Sequence, residues 1–285
     1  MYKFTLQNLD GDTLEFNAIG GDFTIDEIEG LSSPEATINT NKVATMDGEI
    51  FNSAKLGMRT LQVAFAIERN AAVNRLQVYK VLRMKQLVTA YYKSETRDVF
   101  IQGYVQNLEI SYFAMKQIAT VTILCPAPYW KSAQQIVNEM SYVLDMFHFA
   151  FSSTAEPQLV FGSISQLSSA AVPNDGNVPA GLIIEIYARN AVTNPKIYDY
   201  ITGDYIGVNY SMQQADLITI DTTSGAKTIT LLRNGVVSNA FNSLMNGSTW
   251  LQLPAGGGVY AYELGSGTAT DVEITINHYN LYEGV

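Results

Sequence analysis

The hydropathy pattern predicts a mainly β protein of two domains with one helix. Apolar residues recur with period two along most of the chain, and Gly, Asn, Asp and Pro punctuate the runs. Helical spacing is found in one stretch, residues 71–83. Charge changes near residue 135: the balance is −1 through Gln135 and −9 after it, within a net −10. These observations place domains at residues 1–132 and 133–285, the second an antiparallel β-sandwich.

The elements follow in order. Tyr2–Gln7 and Thr13–Asn17 alternate on either side of Asp10-Gly11, a hairpin signal. Asp22–Ile28 alternates again. Ser32–Met58 has little periodicity and reads as an arm reaching to a neighbour or as a surface loop. Arg59–Ile67 is a strand, and Asn70 caps a helix over Ala71–Arg83. Its apolar side is predicted to hold Leu76, Tyr79 and Leu82 with Val73 and Val78. Leu87–Tyr92 and Val99–Val105 are strands around the turn Ser94–Arg97. Leu108–Phe113 and Gln117–Cys125 form a further hairpin. Pro126 and Pro128 then remove ladder donors and, with Tyr129, mark an interdomain hinge.

The second half reads as strand after strand: Phe147–Phe151, Leu182–Tyr187, Lys196–Tyr200, Tyr205–Tyr210, Leu217–Ile220, Lys227–Leu232, Thr249–Leu253, Val259–Glu263 and Val272–Asn277. Residues 162–180 read as a long loop. Asn234-Gly235 is the strongest turn signal, because a type I′ turn needs positive φ at both central residues.

Several function classes lose ground at once. An acidic chain with 15 % charged residues is a poor grip for nucleic acid, which needs clustered cations. One cysteine, Cys125, and two histidines, His148 and His278, cannot assemble a Cys/His zinc cluster, so no metal is expected. No Gly-x-Ser-x-Gly elbow and no Walker-type loop occurs, so neither a catalytic set nor a cofactor site is predicted. No apolar run is long enough for a transmembrane helix, and the first residues lack a signal-peptide core. Asp199 and Asp204 beside Tyr200 and Tyr205 suggest a glycan-processing pair or the edge of a hairpin. Tyr200, Tyr205 and Trp250 are candidates for stacking on sugar rings in a carbohydrate-binding module. Nine basic residues lie between Lys55 and Arg97, whereas residues 1–30 hold seven carboxylates and one lysine. The basic run reads as a solvated helix and hairpin face or as an electrostatic interface with an acidic neighbour, which a second copy of the chain would supply.

Motifs along nearly the whole chain add a family. Asp47-Gly48 precedes Gly57-Met58-Arg59-Thr60-Leu61, a strand, and then Arg75-Leu76 on the helix. Arg97–Val105 runs as a strand, and Ile123-Leu124-Cys125-Pro126-Ala127-Pro128-Tyr129 closes the first half. Asn194–Ile197, Leu217–Thr222, Ser248–Gly256 and Tyr279–Val285 follow in the second. In this order and spacing the chain resembles the distal tail proteins of siphophages, the Firmicute-type tail-component proteins. Ala255-Gly256-Gly257-Gly258 departs from the family's Pro-Gly followed by Asn. The resemblance implies a tail-tube-like β-sandwich with one α-helix, then a galectin-like β-sandwich. It implies a homo-hexameric ring in the virion, made in the host cytoplasm, with no enzymatic activity and no membrane insertion. Its partners would be the tail tube protein, the tape-measure protein and a tail-tip, receptor-binding or tail-associated lysin protein, with DNA only in transit. Asp47, Gly48, Arg59 and Arg97 are then expected at inter-subunit or arm contacts.

Overall fold

The computed structural model describes residues 2–16, 21–45, 47–114, 116–145, 162–166 and 169–285. The expected strand Phe147–Phe151, with His148, lies outside them. The chain divides into two compact units: Met1–Ala133 with Leu281–Val285, and Gln134–Asn280.

Unit 1 contains β1 (Lys3–Asn8), β2 (Thr13–Phe16), β3 (Phe23–Glu29), β4 (Ala36–Lys42), β5 (Glu49–Leu56), β6 (Arg59–Ile67), α1 (Ala71–Val81), β7 (Leu87–Lys93), β8 (Asp98–Ile110), β9 (Gln117–Cys125) and β10 (Trp130–Ser132). The main sheet runs β2-β1-β7-β8-β9-β6-β3, all antiparallel. It curls until its end strands meet, with Phe16 on β2 at 6.1 Å from Phe23 on β3. Alternation makes this possible: Phe4, Leu6, Leu14, Phe16, Leu61, Val63, Phe65, Val121 and Ile123 point into one core. Phe16 and Phe65 meet edge-on at 4.8 Å.

The helix forms where expected, but its buried side differs. Asn74, Val78 and Val81 face inward, followed by Leu82. Val73, Leu76 and Tyr79 face out. Asn70 sits in the left-handed region (φ 41°) and makes no side-chain cap. Its carbonyl instead accepts the Val73 and Asn74 amides, and the Asn74 side chain donates to the Arg69 carbonyl at 2.7 Å. That buried Asn occupies a position that hydropathy alone assigns to the polar face.

Unit 2 contains β11 (Ile136–Glu139), β12 (Ser141–Asp145), β13 (Gly162–Gln166), β14 (Ser169–Val172), β15 (Ala180–Gly181), β16 (Ile183–Ala188), β17 (Val192–Thr193), β18 (Lys196–Asp199), β19 (Tyr205–Gly207), β20 (Ser211–Met212), β21 (Leu217–Asp221), β22 (Thr228–Arg233), β23 (Val236–Asn239), β24 (Gln252–Leu253), β25 (Gly258–Glu263) and β26 (Val272–His278). A six-stranded sheet, β11-β26-β16-β21-β22-β23, packs on a four-stranded one, β14-β25-β18-β19. Ile184, Ile186, Ile218, Ile220 and Ile274 from the first meet Ile197, Ile206 and Tyr260 from the second in one core. Asn234 and Gly235 take φ of 51° and 76°, as the β22–β23 turn requires. The expected loop over 162–180 instead carries β13 and β14. Its Ser- and Ala-rich strands each pair with one neighbour, so they need little apolar alternation.

Two buried groups make unit 2 sensitive to acid. Asp216, 1 % exposed, accepts two bonds from Arg233, one of them from Nε at 2.8 Å, and this cation holds its carboxyl below the usual value. Burial pushes the His278 imidazole below its usual value, against opposing pulls from Asn280, the Pro173 backbone and Asp175. The unfolded chain therefore binds the histidine proton first, and stability falls as pH drops below about 6.5. The Asp216 contribution is lost later, as pH falls below about 3.9 towards its folded pKa. Thermal unfolding of wild type and His278→Leu between pH 7.5 and 5 checks this. The wild-type midpoint should fall with pH, and the variant's should be flatter.

Candidate functional site

The region most out of keeping with a self-sufficient fold is Ser32–Met58. It is neither loop nor core: β4 and β5 pair as a hairpin arm in which every strand residue but Leu56 is exposed. In the antiparallel register Ala36 faces Leu56, Ile38 faces Ala54 and Thr40 faces Phe51, so one side of the arm is an apolar stripe. Ile38 and Phe51 are both 62 % exposed. Asp47 and Gly48 stand at its tip. A two-stranded hairpin alone in water is marginal, so such an arm calls for a cover.

The root of the arm is built, by contrast, to be rigid. Arg59 is 2 % exposed. Its fork donates to four carbonyls: Pro128 from Nε at 2.7 Å, Gly30 and Ser32 from one terminal nitrogen, and Glu283 from the other. Its guanidinium also lies 5.8 Å from the Trp130 ring. Only arginine supplies that many donors in a fixed plane. Burial lowers its pKa and raises that of the neighbouring Cys125 thiol to about 11. Gly30, just before the arm, holds φ +89° with the Thr60 carbonyl 2.2 Å from where a Cβ would sit.

Nearby, β10 pairs with the two-residue strand β27 (Leu281–Tyr282) and with β8. Arg97 stacks over Tyr282 at 4.1 Å. The segments by which the chain leaves and rejoins unit 1 thus lie side by side. This pairing puts Leu281–Val285 in unit 1, whereas the sequence boundary ran the second domain to Val285.

The sequence-predicted residues therefore fall into separate groups. Arg59 and Arg97 come together at the arm root and the carboxyl-terminal strand. Arg59, expected at an inter-subunit or arm contact, is buried at the root of the arm and engaged with its own chain. Asp47 and Gly48 are exposed at the arm tip. Pro126, Pro128 and Tyr129, the expected hinge residues, lie within unit 1. β10 follows them within unit 1, and Arg59 fixes the Pro128 carbonyl.

In unit 2 the stacking candidates do not share one set of contacts. Tyr200 is 66 % exposed at the β18–β19 turn. Tyr205 donates to the Asn246 carbonyl at 2.8 Å and lies under Lys196. Trp250 stacks on Phe241 at 5.7 Å, with Lys227 5.3 Å away. The Asp199 carboxylate accepts the Ile201 and Thr202 amides and so serves the turn. Among the described residues no group of three or more His, Cys, Asp or Glu could hold a metal ion, and no helix is long and apolar enough to cross a membrane.

Comparison with known proteins gives the arrangement its context. A family model described as a phage tail protein RIFT-related domain matches residues 10–125. A second, described as the C-terminal domain of a siphovirus-type tail component, matches residues 175–280. The chain belongs to the siphovirus distal tail proteins. It is a structural component of the distal tail and baseplate. Among solved structures, this distal tail protein is similar to the Dit (gp 19.1) protein of SPP1, described as a paradigm of the hub adsorption apparatus in phages infecting Gram-positive bacteria. The TM-score is 0.67 at 15 % identity, with 98 % of each chain covered. A chain of the phage P2 baseplate in its activated conformation with Ca matches at TM-score 0.58 and 14 % identity over 100 % of both chains. Its Sr counterpart matches at 0.55 and 13 %, over 97 % of this chain and 98 % of that one. At these identities the likeness is one of fold. Curated proteins give no match.

Proposed function

We propose that this distal tail protein forms a six-membered ring that joins the tail tube to the tip of the virion. The carrying observation is the arm. An apolar stripe on an otherwise exposed hairpin, with a root locked by Arg59, is a contact that needs another chain to be complete. A copy of the same chain supplies it: a heterologous contact repeated by rotation closes a ring. Six copies follow from the family resemblance, as do the partners. The ring holds the tube protein on one side and tape-measure, tip or lysin proteins on the other, and DNA passes through its opening. The work is geometric, with no chemical step, and the chain is made in the host cytoplasm before assembly. Light scattering of the purified chain across concentration tests the reading. A species six times the mass of the 31.3-kDa chain is expected, and a chain that stays monomeric throughout opposes it.

A further inference from the structure

We propose that the outer face of α1 on one copy seats against the free edge of β3 on the next, as the charged half of the ring contact. This inference rests on the ring reading and names the surfaces it would use.

The helix turns its Asn74–Val78–Val81 stripe inward, which leaves a second stripe unpartnered. Val73 and Leu76 are each 68 % exposed and Tyr79 is 40 % exposed. The β8–β9 turn extends this patch. Tyr112 shares a hydroxyl hydrogen bond with Tyr79 and lies under Arg75 at 5.0 Å, and Phe113 beside it is fully exposed. Apolar surface of this extent on a folded chain marks an interaction site. Its rim is basic. Arg69 and Arg75 have no carboxylate partner among the described residues. Lys80 and Arg83 reach Asp12 and Asp10 in exposed pairs at 2.5 and 3.3 Å, which bind weakly and are readily exchanged.

The complementary surface is on the same unit. β3 ends the main sheet and, among the described residues, ladders with β6 alone; its far edge meets β2 at Phe16 and Phe23 and carries no strand partner beyond that point. Beside it, Phe4, Phe16, Ile25, Ile28 and Leu31 line an apolar cleft of about 360 Å³. Its rim is acidic. Glu27 and Glu29 are exposed and have no cation partner among the described residues. Asp26 is held by Lys116 at 3.0 Å. An apolar centre with a cationic rim thus fits an apolar cleft with a carboxylate rim. The two surfaces differ, so the contact is head-to-tail and suits a ring.

Charge reversal and its compensation test this. Glu27→Lys with Glu29→Lys, and separately Arg69→Glu with Arg75→Glu, should each weaken ring assembly about tenfold or more in sedimentation experiments. The two variants mixed should assemble again by alternating around the ring, and a chain carrying all four changes should recover assembly to within a few-fold of wild type. Leu76→Asp should also block assembly with an unchanged unfolding midpoint, since the position is exposed. Wild-type rings unaffected by either reversal, or a fourfold variant no better than its parents, would overturn the proposed surfaces and leave the ring intact. A wild-type chain that forms no ring would instead overturn the ring reading, and this inference with it.

Discussion

Arg59→Ala should destabilise unit 1 by about 3–5 kcal/mol, the range for stripping a buried charge from partners that water cannot reach. Four carbonyls, from Gly30, Ser32, Pro128 and Glu283, lose their donor at once. Each buried acceptor left unpaired costs about 1–3 kcal/mol, reduced where the cavity admits water. Arg59→Lys should recover little, because an ammonium is a point donor and cannot span a planar cage. The effect should also be local in character. Hydrogen exchange should rise first in the arm and in Leu281–Val285, since the fork ties these segments together. An Arg59→Ala chain with the wild-type unfolding midpoint would show that the cage contributes nothing.

Gly30→Ala should cost about 2–4 kcal/mol. A side chain there meets two penalties together. The φ of +89° is disfavoured for any L-residue by roughly 1–2 kcal/mol. The new methyl would also lie 2.2 Å from the Thr60 carbonyl oxygen, a backbone atom at the start of a paired strand, so overpacking adds about 1–3 kcal/mol. Relief requires β3 and β6 to part at the arm root. Denaturant unfolding checks the size of the loss, with Gly48→Ala as the contrast. Gly48 also has positive φ but has nothing within 4 Å of a Cβ, so its loss should be smaller.

These two positions show what the sequence could and could not reveal. Strands that bury one face, such as β6 and β9, declare themselves by alternation, and Asn234-Gly235 declares its turn by the φ it needs. The arm does not, because a hairpin with no core of its own has no buried face to pattern. The helix was legible as a helix but not in phase. Its inward stripe contains the polar Asn74, so the apolar residues at 73, 76 and 79 look like the core side when they are the exposed one. The importance of Arg59 lay in the motif, but its role did not. Its partners are backbone carbonyls, which carry no residue signature, and they lie 27 to 224 positions away. The place of the hinge candidates within unit 1 was hidden for a related reason. Prolines end a strand wherever it lies, and β10 could be recognised as part of unit 1 only from its pairing with Leu281–Tyr282. The exposed patch on α1 and Phe113 had a sequence signal, an apolar i, i+3, i+6 series flanked by arginines, that is ambiguous until burial is known.

In the proposed ring, the exposed arm and helix face of unit 1 are completed by further copies of the same chain. Electron microscopy of the assembled wild-type protein tests it most directly. The account predicts closed rings of six subunits around a central opening, with α1 and the arm of each copy covered by its neighbours. Closed rings in which both surfaces face solvent, or particles of single chains at every concentration, would contradict it.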